Sequence, residues 1–181
     1  MTEHIAAYFE ELRDQLKRLE KQYNPKGDNL HFEAIPKADN KLFDNLLKMS
    51  GKAIEIVKDE PDHYSNKTPY AYKMFGFWYD YFLLINSASC RVIESANSDD
   101  FPQETRYRII DDLIYIEEFA DIVSGDLTKR HISALSHTLE AFSSDNLMNF
   151  LKNKKKTIKS KHAKGRLDAA IKSVQYILKS K

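Results

Sequence analysis

At 181 residues, with 42% hydrophobic and 30% charged side chains, the chain has an ordinary globular composition and the length to bury a core without disulfides or a metal. A single cysteine, Cys90, excludes an internal disulfide and every multi-cysteine zinc site. The net charge of +1 hides a division, because residues 1–151 carry 17 basic and 26 acidic side chains while 152–181 carry 11 basic and one acidic, Asp168.

The opening MTEHIAAYFEELRDQ lacks the basic end and unbroken apolar run of a secretory signal, and MFGFWYDYFLLI at 74–85 falls short of the ~20 apolar residues of a membrane span. The expectation is a cytoplasmic protein that does not engage a membrane. Ile5, Phe9, Leu12, Leu16, Leu19 and Tyr23, at alternating spacings of four and three, predict a first helix over about 3–23, ended by Asn24-Pro25-Lys26-Gly27. After a polar loop containing Pro36, Asp39 is placed to cap a second helix carrying Leu42, Phe43, Leu46, Leu47, Ile54 and Val57. Gly51 interrupts it, and residues 53–57 read as helix or strand.

Thr68-Pro69 predicts the start of a third helix, with the threonine hydroxyl as cap and proline in the first turn. Over residues 70–95 only Lys73, Asp80, Ser87, Arg91 and Glu94 form a polar stripe, so this helix is predicted to be the buried centre of a bundle, with Asp80 on a solvated or salt-bridged edge. Asp99 or Asp100 with Pro102 begins a fourth helix ending near Ser124-Gly125. A fifth spans about 128–142, antiparallel to the fourth across a short link, and Ser144 or Asp145 starts a sixth. In one straight helix over 145–179, Leu147, Phe150, Leu151 and Ile158 would face away from Leu167, Ala170, Ile171, Val174 and Leu178, which predicts a break between 159 and 165, near Gly165. The fold class is therefore all-α: one domain over 1–181, a bundle of six to seven helices with a central aromatic-rich helix. Its acidic body, 1–151, carries a basic segment, 152–181, that packs on it or projects.

The strongest signal outside the core is KNKKKTIKSKHAKGR, residues 152–166, in which Lys152, Lys154, Lys155, Lys156, Lys159, Lys161, Lys164 and Arg166 stand with no acid among them. Clustered ammonium groups near a bend neutralise phosphates and bind nucleic acid with little sequence preference. Against this stands a solvated connection that docks on the acidic body. The tract holds no aromatic side chain for base stacking.

Arg130-His131-Ile132-Ser133-Ala134-Leu135-Ser136-His137 resembles the Arg-x(4–6)-His motif of the HEPN ribonucleases, helical proteins that pair two such motifs across a dimer. The resemblance covers these eight residues and implies Arg130 and His137 as a metal-independent catalytic pair acting on a scissile phosphate. A surface ion pair of Arg130 with Asp121 is the structural alternative. Glu117 and Asp121, four apart in the apolar sector of their helix, are candidates for a hard metal ion or acid–base work, with Arg106 as a structural counter-ion. Phe75, Phe77, Trp78, Tyr79 and Tyr81 read as core, or as a groove for a partner helix. Phosphate-loop, dinucleotide, nucleophile-elbow and His-Glu-x-x-His motifs are all missing.

These readings predict a binding or regulatory protein, without catalysis, metal or cofactor, whose basic tract contacts a polyanion, with nucleic acid the leading expectation. The alternatives are the HEPN-like ribonuclease, acting as a homodimer, and a protein-binding module of immunity, adaptor or inhibitor type.

Overall fold

The computed structural model describes residues 2–26, 35–60, 65–119, 125–142 and 145–180, and among these every regular element is helical. Seven α-helices follow one another: α1 Thr2–Tyr23, α2 Asn40–Val57, α3 Ala71–Ser95, α4 Gln103–Phe119, α5 Gly125–Ala141, α6 Asp145–Thr157 and α7 Lys161–Lys179, with a short 3-10 turn at Ser98–Asp100. The fold class is the all-α bundle that the periodicity predicts.

Local signals account for several boundaries. Asp39 caps α2 by accepting the Leu42 backbone N–H at 3.0 Å, and residues 53–57 are its last helical turns rather than a strand. One expectation fails and another is corrected in position. Thr68 does not cap α3; its hydroxyl donates to the Ser65 carbonyl at 3.1 Å, and α3 starts at Ala71 after a turn through Pro69 and Tyr70. The predicted break in the C-terminal segment is present, at 158–160, at the early edge of the expected 159–165 and not near Gly165, which stands inside α7. Ser160 sets that restart by accepting the Ala163 N–H on its hydroxyl at 3.2 Å. Ile158, just past α6, is 3% exposed and anchors the link in the core.

The odd-numbered helices form a row in which α3 packs on α1 and α5, and α5 packs on α7, while α2 and α4 lie against this row. Glu10 pairs with Lys73 and Arg13 with Asp80, so α1 and α3 advance in the same direction. Arg130 meets Tyr79, Ser133 meets Asn86 and Thr138 meets Ser89, so α3 and α5 are parallel as well. α4 and α6 also keep step, through Tyr107 with Phe150 and Asp111 with Lys154.

This places α3 at the centre, as its wheel predicts. Phe77, Trp78, Tyr81 and Phe82 are fully buried in it, and each such side chain contributes roughly 1.5–3 kcal/mol of transfer free energy. Asp80 is salt-bridged as expected but not solvated: the residue is 6% exposed, with its carboxylate 2.5 Å from Arg13 Nε, because α1 runs alongside and covers it. A second aromatic group, Phe43, Phe101 and Phe142, joins α2 to the segments before α4 and after α5. Among the described residues no helix is long and apolar enough to cross a membrane.

Candidate nucleic-acid interface

The bend at 158–160 folds the basic tract onto itself. Lys152, Lys155 and Lys156 from α6 and Lys164 from α7 line one open cleft of about 500 Å³. The buried residues Leu147, Leu151, Ile158, Ala163 and Leu167 hold the two helices against the body below it. The basic residues thus occupy the outer face of an elbow whose inner face is core.

The tract is also partly neutralised from within. Lys154 reaches Asp111 of α4 at 2.5 Å, and Lys155 reaches Asp168 of α7 at 2.5 Å. Lys154 thus contacts an acid of residues 1–151, and the single acid of the basic segment pairs with Lys155. Lys156 donates to the Asn153 side chain at 3.4 Å, which leaves its charge uncompensated. Lys152, Lys156, Lys161 and Lys164 have no ion pair among the described residues. Lys154, Lys159, Lys161 and Arg166 do not line the cleft. Ammonium groups are strongly hydrated point charges without the fork geometry that reads base edges, so the cleft can hold phosphates without selecting a sequence.

The other candidates are arranged differently. Arg130 and His137 share one face of α5, two turns or about 10.5 Å apart along its axis. Arg130 is exposed and lies over the Tyr79 ring, 5.5 Å from its centroid. His137 is half-buried and donates from Nδ1 to the Ser133 carbonyl at 2.9 Å, which orients its ring. His131 is a core residue: it is fully buried, edge-on to Phe82, with Nε2 donating to the Leu113 carbonyl at 2.9 Å. Glu117 falls on α4, whereas Asp121, with its expected pairing to Arg130, lies outside the described residues. Among the described residues no group of three or more His, Cys, Asp or Glu is placed to hold a metal ion. Burial, together with nearby Glu94 and Glu140, pushes the Cys90 thiol up and away from nucleophilic character.

Sequence reasoning missed the acids that Lys154 and Lys155 engage, since both pairings cross helix boundaries. The position of Asp168 as the only acid of the segment was the available signal. No protein-family model, curated protein or solved structure matches the chain.

Proposed function

We propose that the protein binds nucleic acid through the lysine cleft between α6 and α7, as a binding or regulatory protein without a reaction of its own. The carrying observation is the convergence of four lysines from two helices on one open cleft. Three of them, Lys152, Lys156 and Lys164, have no ion pair among the described residues. A polyanion that displaces the counterions of such a cluster gains affinity by their release, and loses it as salt is added.

The test follows the fluorescence anisotropy of a labelled single-stranded RNA and a labelled duplex DNA at low and moderate salt. Binding that weakens steeply with salt is expected. Lys152→Glu, Lys156→Glu and Lys164→Glu together are expected to lower affinity at least tenfold while the unfolding midpoint holds. Lys154 and Lys155 are poor choices for this experiment because their ion pairs tie helices together. A flat trace with both probes, or a triple variant that binds as the parent does, overturns the proposal. A later fall for RNA alone, abolished by Arg130→Ala and His137→Ala, would replace it with the ribonuclease. A nuclease-resistant complex with one protein would replace it with the interaction module.

A further inference from the structure

A second surface lies where α1, α3 and the first turn of α5 meet. Arg13, Tyr72, Phe75, Gly76, Tyr79 and Leu127 line a cleft of about 230 Å³ there. Its cationic wall is held in place. Asp80 accepts the Arg13 Nε–H at 2.5 Å, which lays the guanidinium along α3 and leaves its Nη groups for other partners. Gly76 makes the room, since a Cβ at that position would come within 3.1 Å of Arg13 Nη1. Arg130 adds a second guanidinium over Tyr79. Tyr72 is 81% exposed, far beyond what packing of an aromatic ring requires.

Arg13, although paired with Asp80, and Arg130, which stands over Tyr79 outside the residues lining the cleft, put guanidinium N–H groups beside three rings and favour a ligand that is both flat and anionic. Volume decides how much of it enters. Sites that enclose a drug-sized molecule measure about 300–1,000 Å³, so a cleft of 230 Å³ admits one ring system and leaves the rest outside. The geometry points to a stacking site for one nucleotide of a single strand, with the base among Tyr72, Phe75 and Tyr79 and the adjoining phosphate against Arg13 and Arg130. This rests on the nucleic-acid reading for the class of ligand, but on none of the lysine-cleft residues. It supplies the aromatic platform that the lysine tract lacks, and it rejects duplex, whose bases are already stacked.

The experiment compares an octaadenylate with an abasic octamer of equal charge. Tyr72→Ala and Arg130→Gln, both at exposed positions, are expected to weaken octaadenylate binding at least fivefold and Tyr72→Ala to leave the abasic octamer unchanged. In the Lys152→Glu, Lys156→Glu, Lys164→Glu protein, adenosine monophosphate is expected to shift the Tyr72 and Gly76 amide resonances, and ribose 5-phosphate to leave them in place. That pair of titrations reads this cleft alone, so it separates failure here from failure of the lysine cleft. Octaadenylate affinity indifferent to Tyr72→Ala, or equal shifts from both monophosphates, overturns the stacking site.

Discussion

Two neighbouring aspartates on α4 have opposite fates. Asp111 points to Lys154 at the surface, while Asp112, a residue further round the helix, accepts the Tyr81 hydroxyl at 3.1 Å. Burial, reinforced by Asp111, pushes the Asp112 carboxyl up to about 6, although the nearby Ser50 hydroxyl and the hydrogen bond from Tyr81 oppose the rise. The unfolded chain therefore ionises this group first. Between an ordinary carboxylate range near 4 and pH 6, the folded state binds the extra proton and stability falls as pH rises. Above 6 the cost is at most roughly 3 kcal/mol, since raising a carboxyl's midpoint by one on the pH scale costs about 1.4 kcal/mol and part of the residue still meets solvent. Asp112→Asn keeps an acceptor for Tyr81 and cannot ionise. Thermal melts at pH 7.5 are expected to show it more stable than the parent by about 1–3 kcal/mol, with the slope between pH 4 and 6 flattened. A parent and variant that melt alike at both ends of that range would refute the assignment. Sequence could not have separated the two aspartates, because one step of about 100° around a helix decides which faces Tyr81.

Among the helices, the glycines are where sequence and structure part most instructively. Gly51 left part of α2 ambiguous and Gly165 drew the predicted break, yet both sit inside helices. An exposed helical glycine costs only about 1 kcal/mol, which the burial of Leu46, Leu47, Ala53 and Val57 in α2 and of Ala163, Leu167 and Ala170 in α7 outweighs. A Cβ at either glycine would meet nothing within 4 Å. Gly51→Ala and Gly165→Ala are each expected to add about 0.5–1 kcal/mol in denaturant unfolding, and to be additive because the sites share no partner. The break itself was legible, from the opposed apolar stripes. Its position was set by Ser160 and by the anchoring of Ile158, a capping hydroxyl and a buried side chain that outrank a permissive residue. The misplaced start of α3 has a similar origin, because Thr68 spends its hydroxyl on the Ser65 carbonyl within its own turn.

For the molecule as a whole, the all-α class, the central α3 and the basic segment were all readable from periodicity and charge, whereas the tertiary ion pairs were not. If the proposed interface binds a phosphate chain, those pairs would modulate it. Asp111 and Asp168 each hold a lysine of the tract, so on that reading an incoming phosphate chain would compete with them for Lys154, beside the cleft, and Lys155, within it. Asp111→Asn with Asp168→Asn is expected to tighten binding of the nucleic-acid probes and to steepen the salt dependence by about 1–2 in log–log slope, as two more lysines become available. Unchanged slope would mean that Lys154 and Lys155 do not take part. The parallel run of α1, α3 and α5 bears on a different property, the order of events in folding. Arg13 and Asp80 are 67 residues apart, and Ser89 and Thr138 are 49 apart, so neither side of α3 is closed by a sequence neighbour. During synthesis the most apolar helix must wait for α5 to emerge before its second flank is covered. Contacts of such span slow folding and lengthen the exposure of Phe82 and Leu84, so a nascent chain halted before α5 is the form of this protein most in need of a chaperone.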